Sequence, residues 1–499
     1  MTQIQEQYRV PLLDVREIGR VKDVRRGIAR IKGLQTCAYG QLVQFSAGMH
    51  GLVMGFDEKD VMATIFGDEN GVSVGDEVLS YEAQASIPVG EGFLGRVISS
   101  LGDPLDGRGP VTVSGRSAIF REAPGIMERE PVMQQMPTGV KIIDLAIPVG
   151  RGQRELIIGD RQTGKTSICV DAIINQKNTG VVCIYCWIGG PQAALQRIIN
   201  SLNERGAIEH TVVVAAAVGV SAAEQYLAPY SAAALGEYFM SRGRDVLVVF
   251  DDLTKHAWVY RQMSLLLERA SGREAYPGDI FYLHSQLLER AGRMTSGHGG
   301  GSMTFLPVVE TMQGDITGYI QTNLISITDG QIYISAPLFH EGFKPAIDLG
   351  LSVSRIGSRV QGPGIRRVSS GLRLEYSQYR EMLRMTKLRT NLSEEALARL
   401  RRGEVLQELF KQSNFAPVSL EEQMVLFHLY QRNLLQGVSP QHMRRFIDNF
   451  FRFLTEYDMT VTTRIRETQD ITPETGEAVE KAFAVFFRDI RRNSQEAAA

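Results

Sequence analysis

The sequence predicts a multidomain protein with a small N-terminal β-barrel, a central α/β domain built on a mainly parallel sheet, and a C-terminal α-helical bundle. A chain of 499 residues is too long for one compact core. Short strand signals separated by glycines come first, strands and helices then alternate, and helical periodicity dominates the end. We therefore place the domains at residues 1–75, 76–358 and 359–499.

Composition and charge exclude several classes of protein. Apolar residues make up 43% of the chain, charged residues 22%, and the formal net charge is −2, which is typical of a soluble globular protein that does not bind nucleic acid. Residues Met1 to Leu12 lack the apolar core of a signal peptide. The longest near-apolar run, Val212 to Ala223, is too short to span a bilayer. Any connection to a membrane is therefore expected to pass through other subunits.

Two of the four cysteines, Cys183 and Cys186, form a C-x-x-C pair. A structural zinc site would require a second ligand pair, which the sequence does not offer. The two residues lie in an apolar segment with the pattern of a buried strand, on which residues three apart face opposite sides. We therefore predict apolar core positions, and the low cysteine content suits a reducing, cytoplasmic setting.

Five short strands are predicted in the N-terminal domain, each bounded by turn residues. They are Gly27 to Ile31, Gln41 to Phe45, Gly51 to Met54, Val61 to Ile65 and Glu77 to Leu79. Short strands at even spacing are typical of a small closed barrel. Such barrels bind many kinds of molecule, so this domain indicates no particular function.

The central domain alternates apolar strands with helical segments, which predicts a mainly parallel sheet covered by helices. Ligands bind at the carboxyl ends of the strands in such sheets. Strands are predicted at Glu155 to Ile158, Val181 to Ile188, Val212 to Ala216 and Asp245 to Phe250. Helices are predicted at Lys165 to Asn175, around Leu195 and Ile199, and within Ala222 to Ser241.

Helical periodicity replaces the strand signals in the C-terminal domain. Helices are predicted at Glu394 to Leu400, Leu406 to Phe410 and Met424 to Leu435. Ser419 and Glu422 have capping-box spacing before the last of these. The arginine-rich stretch Arg366 to Arg389 is interpreted as a solvated or subunit-facing surface.

One motif in the central domain carries specific chemistry. An apolar strand and a helix flank an eight-residue loop that fits G-x-x-x-x-G-K-[ST] at every fixed position. Its residues are Gly159, Asp160, Arg161, Gln162, Thr163, Gly164, Lys165 and Thr166. Glycines let the backbone N–H groups approach phosphate oxygens, and the helix N-terminus favours an anion. Lys165 is expected to bind the terminal phosphates, and the Thr166 hydroxyl is expected to ligate magnesium.

A second motif completes the expected site. The apolar strand that begins at Val246 ends in Asp251 and Asp252. A carboxylate at the end of such a strand holds magnesium, often through water. Asp251 is preferred because it directly follows the strand. Together the two motifs predict a RecA-like P-loop domain that binds a nucleotide with Mg²⁺.

One part of a hydrolytic site is missing from the sequence. Hydrolysis requires a group that activates the attacking water. In ring-forming motors of this class, a glutamate after the neighbouring strand often has that role. Here the strand is followed by Gly189-Gly190-Pro191-Gln192. No carboxylate occurs there, which argues against hydrolysis in this site.

Nearly the whole chain resembles the alpha-subunit family of rotary F-type ATP synthases. The matching segments occur in the same order: GIARIKGL, VGEGFLGRVISSLGDPLDG, GDRQTGKT, the stretch Asp251 to Asp279, FYLHSQLLERAGRM, GGGSMTFLPVVET, TNLISITDGQIY, GLSVSRIG and KQSNFAPVSLEEQ. Several of these segments are specific to the alpha type. The phosphate loop is one of them, because the catalytic beta subunits have a different, glycine-richer loop.

The resemblance implies roles for residues that spacing alone does not identify. It implies a tightly held Mg-ATP (or ADP), with Gln162 beside the phosphates. The residues implied to surround the adenine and ribose are Phe339, Lys344, Pro345, Gln412 and Asn414. It also implies catalytic roles for Ser352 and Arg355 in the motif Ser352-Val353-Ser354-Arg355. Arg355 would enter the site of a neighbouring beta subunit as an arginine finger, because its planar charged group matches phosphate oxygens.

The family further implies the assembly in which the chain functions. Three copies would alternate with three beta subunits in a ring around a rotating gamma stalk. Peripheral stalk subunits and a membrane ion-channel sector would complete the complex. The chain would then be a peripheral membrane protein on the cytoplasmic face of a bacterial plasma membrane. ATP would be made from ADP and phosphate, or hydrolysed, in the beta subunits.

The sequence departs from the family pattern at four places. Gly190 and Pro191 stand where relatives usually have Gln-Lys, which puts the occupancy of the nucleotide site in question. The connection 176–180 is shorter than usual, and Lys344 replaces an arginine. The N-terminal helix that docks the peripheral stalk through the delta subunit in the family is nearly absent. We therefore expect either a different contact with the stalk or a divergent branch of the family that lacks a standard delta subunit.

Three other functions fit the sequence less well. A catalytic rotary or secretion ATPase would require a carboxylate near Gly190. A hexameric nucleic-acid motor of the termination-factor kind would require a basic, aromatic N-terminal face, and it would lack the helical domain. A structural ring member without nucleotide would not require Lys165, Thr166 and Asp251.

Overall fold

The computed structural model describes residues 17–496 except positions 47, 58, 81–83, 387–392, 437 and 439. In this part of the chain a closed barrel, a ten-stranded sheet with flanking helices and a set of C-terminal helices follow one another. The predicted fold class is therefore confirmed. The prediction of a shortened N-terminal helix falls on residues outside the described ranges.

The N-terminal domain is a closed six-stranded barrel with the strand order β1-β2-β5-β4-β3-β6. The strands are β1 (Ile18–Arg25), β2 (Ile28–Lys32), β3 (Leu42–Phe45), β4 (His50–Phe56), β5 (Asp60–Ile65) and β6 (Glu77–Ser80). All five predicted strands are present. The sequence did not single out β1, because its outward-facing Ile18 is exposed and its inward alternation includes only Gly19 and Val21. The interior is filled by small and branched side chains such as Val43 and Val53.

The central domain contains the remaining strands and eight helices of the described chain. The strands are β7 (Ser86–Val89), β8 (Val97–Ile98), β9 (Gly115–Ala118), β10 (Arg129–Glu130), β11 (Leu156–Asp160), β12 (Val182–Ile188), β13 (Thr211–Ala216), β14 (Asp245–Asp251), β15 (Gly292–Met294), β16 (Ser302–Thr311), β17 (Gly330–Ile334) and β18 (Val353–Ser354). The helices are α1 (Lys141–Ala146), α2 (Lys165–Ile174), α3 (Gln192–Glu204), α4 (Ala222–Met240), α5 (Leu253–Leu266), α6 (Ile280–Leu288), α7 (Tyr319–Ile327) and α8 (Ala336–His340).

The main sheet is parallel in its centre, as predicted. Its order is β18-β17-β11-β16-β14-β12-β13-β8, with β18 antiparallel at one edge. Strands β7 and β9 form a separate two-stranded sheet. Cores lie on both faces of the main sheet, and β12 contributes Cys183 to one and Cys186 to the other. Both thiols are free and buried, and burial raises the pKa of each, which agrees with the predicted core positions.

The C-terminal domain is helical. Its helices are α9 (Pro363–Ser369), α10 (Leu372–Thr386), α11 (Glu394–Phe410), α12 (Leu420–Gln431), α13 (Pro440–Tyr457), α14 (Met459–Thr468) and α15 (Pro473–Glu496). Two predicted helices are one continuous helix, α11. The Ser419 hydroxyl accepts a hydrogen bond from Glu422 N at 3.2 Å and so caps α12 as predicted. No helix of the described residues combines the length and apolar character of a membrane span.

Candidate nucleotide-binding site

The phosphate loop joins β11 to α2 at the carboxyl edge of the sheet. A Cβ atom on Gly159 would lie 2.5 Å from the carbonyl oxygen of Ile334, so only glycine allows the loop to pass this close to β17. The loop ends at Gly164, and α2 begins at Lys165. Helix N-terminal N–H groups and a tight loop together form an anion site, and the chain places that site where the motif predicted it.

Lys165 is buried, and its ammonium group lies inside the curve of the phosphate loop, against backbone carbonyl oxygens. It donates hydrogen bonds to the carbonyl oxygens of Gly159 at 2.8 Å and Asp160 at 2.5 Å. Burial lowers the pKa of Lys165, and nearby carboxylates, Glu310 first among them, act in the opposite direction. The carboxylates help to keep the ammonium charged, which suits a phosphate ligand.

Thr166 and Asp251 converge on one point beside the loop. The Thr166 hydroxyl donates to Asp251 Oδ2 at 2.7 Å, and the Tyr185 hydroxyl donates to the same oxygen at 2.8 Å. Burial raises the pKa of Asp251, as does the adjacent Asp252. A hydroxyl and a carboxylate are hard oxygen ligands of the kind that Mg²⁺ accepts while it keeps waters and phosphate oxygens. The residues present therefore fit a magnesium ion delivered with a nucleotide.

The other polar residues of the loop mainly hold its shape. The Asp160 carboxylate accepts hydrogen bonds from Thr311 Oγ1 at 2.6 Å and Gly314 N at 2.8 Å. The Thr163 hydroxyl donates to Asp160 O at 2.7 Å. Arg161 points outward and forms a 3.4 Å ion pair with Glu310. Gln162 has a φ of 60° at the bend of the loop.

A cavity opens beside the loop, and the residues implied to surround the base line it. They are Phe339, Lys344, Pro345, Gln412 and Asn414. The Lys344 ammonium lies 4.5 Å from the centroid of the Phe339 ring. Chain segments more than 60 residues apart in sequence thus meet at one cavity next to Thr163 and Gly164.

Gln412 lines this cavity, but its amide group is engaged by the protein backbone. Its Nε2 donates to Gly139 O at 2.7 Å and to Ala416 O at 2.9 Å, and its Oε1 accepts from Lys141 N at 3.1 Å. Both N–H hydrogens are thus used within the chain. Gln412 holds the segment that carries Asn414, which also lines the cavity.

Arg355 lies at the opposite edge of the sheet from the phosphate loop. It follows β18, where Ser354 pairs with Gly330 at the amino end of β17, and its N–H donates to Asp329 O at 2.9 Å. The five residues of β11 separate the amino ends of the strands from their carboxyl ends, a distance of about 13 Å at the usual rise of a strand. The exposed Arg355 side chain therefore does not join the site of its own chain.

Ser352 is buried, and its hydroxyl is used inside the chain. It donates to Asp348 O at 2.6 Å and accepts from Tyr333 N at 2.9 Å. Arg373 donates to Ser352 O at 2.7 Å. These bonds fix the loop before Arg355, and a catalytic role of Ser352 itself stays a prediction.

Sequence reasoning missed two polar groups of the site. Tyr185 of β12 contacts Asp251 of the neighbouring strand β14. In the sequence only its alternate position in an apolar strand could have indicated this contact. Glu310 is the penultimate residue of β16, which lies between the two motif-bearing strands, and it is near Lys165. Its signal was a carboxylate directly after an apolar run, the same signal that identified Asp251.

The fold and site define a class of protein. The phosphate-loop strand β11 and the aspartate strand β14 are separated by β16, and this arrangement in a parallel sheet is that of a RecA-like P-loop nucleotide-binding protein. Three family models match successive parts of the chain: the beta-barrel domain of the ATP synthase alpha/beta family over residues 14–81, its nucleotide-binding domain over 139–354 and the C-terminal domain of the alpha/beta chain over 361–486.

A curated relative covers almost the whole chain. The ATP synthase subunit alpha of Caldanaerobacter subterraneus subsp. tengcongensis is 48% identical over 470 residues, which are 94% of this chain and 93% of the relative. The chain belongs to the ATP synthase alpha/beta family.

Proposed function

We propose that this chain is the noncatalytic, ATP-binding alpha subunit in the catalytic head of an F-type ATP synthase. One observation carries the proposal: a complete phosphate loop with Thr166 and Asp251 stands beside a strand end, Gly189-Gly190-Pro191, that has no carboxylate. The site has the groups that bind a nucleotide and lacks a group at the place where water is activated. The alpha-type relative supports the same assignment.

In this function the site holds Mg-ATP or Mg-ADP as a structural or regulatory ligand. Lys165 and the N-terminus of α2 would bind the phosphates, and Thr166 and Asp251 would hold Mg²⁺, which would supply positive charge against the phosphates. Phe339 and Pro345 enclose the base. Arg161 and Gln162 lie beside the phosphates.

Two carboxylates near the phosphates are engaged by cations. Asp252 pairs with Lys255 at 2.9 Å, and Glu310 pairs with Arg161 at 3.4 Å. Burial raises the pKa of Glu310, and Asp252 raises it further. A general base must be free to accept a proton from water. The absence of a carboxylate after β12 is therefore the observation that favours the noncatalytic function over the alternative of a catalytic P-loop ATPase of a related hexameric motor.

Arg355 acts on the neighbouring subunit. Its position at the amino edge of the sheet separates it from its own phosphate loop, so the phosphates it can reach belong to another chain. An arginine supplied across an interface stabilises charge on the transferred phosphoryl group. We assign this role to Arg355 in a beta-subunit site.

The assembly follows from these assignments. Three copies alternate with three beta subunits around a gamma stalk, peripheral stalk subunits hold the ring, and a membrane sector couples it to ion flow. The chain is peripheral to the membrane and lies at the cytoplasmic face of a bacterial plasma membrane.

The experiment that tests this function compares Arg355→Ala with Arg359→Ala in the assembled complex. Arg359 is an exposed arginine on the next turn and serves as the matched control. Arg355→Ala is expected to reduce multisite turnover by about a thousandfold or more while the beta subunits still bind nucleotide. Near-normal cooperative turnover of Arg355→Ala would remove the finger assignment.

A further inference from the structure

Trp187 of β12 is separated by the Tyr185 ring from Asp251, the carboxylate assigned to magnesium. It is 5% exposed and is paired in register with Asp251 of β14. Its indole stacks on the Tyr185 ring with centroids 6.4 Å apart, and the Tyr185 hydroxyl donates to Asp251. The indole is therefore packed beside the Tyr185 ring, whose hydroxyl contacts the carboxylate expected to hold the metal.

Gly190 leaves room for this indole. A Cβ atom on Gly190 would lie 2.1 Å from Trp187 Cζ2 and 2.5 Å from Cε2. The backbone is held in place, because Val218 N donates to Gly190 O at 2.8 Å and Gly189 N donates to Ala216 O at 2.7 Å. The indole thus fills the volume in which any side chain at position 190 would begin. Glycine at this position is a requirement of packing, and a water-activating carboxylate has no space there.

Lys255 covers the indole from another side. Its ammonium lies 5.5 Å from the Trp187 ring centroid and 2.9 Å from Asp252 Oδ2. The indole N–H is buried and has no acceptor among the described protein atoms. Buried donors without an acceptor are rare. The indole N–H is therefore a donor beside the site that the described chain leaves unsatisfied.

We propose that Trp187 closes the terminal-phosphate end of the nucleotide site and slows the release of the bound nucleotide. This inference rests on the proposed noncatalytic site and deepens it, because it assigns the retention of ATP to one side chain. Nucleotide retention then depends on a packed indole, and polar side chains at positions 190 and 191 are not required. Trp187 and Gly190 act as one unit, since the indole needs a glycine opposite.

Release of the bound nucleotide measures this role. The purified full-length chain is loaded with magnesium and tritiated ATP, diluted into unlabelled ATP and sampled by rapid filtration. Trp187→Ala is expected to release ATP about tenfold faster or more, because it removes the indole that fills the volume beside Gly190. Trp187→Phe retains a smaller aromatic ring, and its release rate is expected to lie between those of Trp187→Ala and the wild type. Trp258→Phe is the matched control, because Trp258 packs on the opposite face of the sheet.

Fluorescence gives a second measurement that does not depend on the stability of Trp187→Ala. The chain has two tryptophans, so Trp187 alone reports in the Trp258→Phe variant. Binding of Mg-ATP is expected to change its emission, since phosphate charge arrives beside the indole. Unchanged emission in protein that filtration shows to be loaded would overturn the proposal, as would release from Trp187→Ala at the wild-type rate. Conversion of the loaded ATP to ADP by the wild-type chain at the turnover rate would instead contradict the noncatalytic function.

Discussion

Replacing Gln412 is expected to weaken the binding of all nucleotides alike, although Gln412 lines the base cavity. Its three hydrogen bonds to Gly139, Lys141 and Ala416 hold the segment that carries Asn414. Each neutral hydrogen bond contributes about 0.5–1.5 kcal/mol, and relaxation of the segment recovers part of the loss. We therefore expect Gln412→Ala to weaken the free energy of nucleotide binding by about 2 kcal/mol, which is about a thirtyfold higher dissociation constant.

Asn414→Ala is expected to act differently. Asn414 lines the cavity, and a lost hydrogen bond to adenine would weaken ATP binding about threefold to tenfold relative to GTP. Equilibrium dialysis of the purified chain with labelled ATP, ADP and GTP separates the two patterns. Gln436→Ala, an exposed glutamine of the helical domain, is the control. If Gln412→Ala weakened ATP and left GTP unchanged, our account of Gln412 as a holder of the segment would be refuted.

Three further predictions concern the metal, the packing and the pH dependence. Asp251→Asn is expected to remove most of the gain in ATP affinity on adding Mg²⁺, and equal dissociation constants with and without the ion in the wild type would contradict this. Gly190→Ala is expected to weaken binding at least tenfold because of the 2.1 Å approach to Trp187. In the Trp187→Ala background the same substitution should weaken binding no further, because the clash is gone. The third prediction concerns the pH dependence of stability. Burial raises the pKa of Asp144 from 3.8 to about 6, so the bound proton contributes about 3 kcal/mol to the free energy of unfolding at low pH. Because the folded chain holds this proton more tightly than the unfolded chain, this contribution is full below about pH 4 and is lost as the pH rises through about 6. Urea unfolding of Asp144→Asn should lack that part of the slope, and an unchanged slope would assign it to other groups.

The parts of the fold that follow local patterns were predictable from the sequence. The strand before Gly159, the helix after Lys165 and the apolar strand ending at Asp251 each have a complete local signature, and all three are present. The closed barrel followed from the spacing of its strands. The two predicted segments, 394–400 and 406–410, are parts of one helix, which continues through residues 401–405.

The parts of the site that depend on strand order were not predictable. From the sequence, Gly190 and Pro191 only put the occupancy of the nucleotide site in question. The structure shows that the Trp187 ring occupies the volume in which a side chain at position 190 would begin. Likewise, Gln412 was expected near the base, and only its partners 271 and 273 residues away show that its amide is already used. Such contacts join segments that meet only after folding, so no local pattern indicates them.

The fate of the nucleotide bound to this chain tests the central claim most directly. The assembled complex is labelled with an azido-ATP during turnover, and the label on this chain is then identified as triphosphate or diphosphate. We predict that triphosphate persists, because no carboxylate activates water beside Gly190. Diphosphate formed on this chain at the turnover rate would mean that its own site is catalytic and would contradict the account.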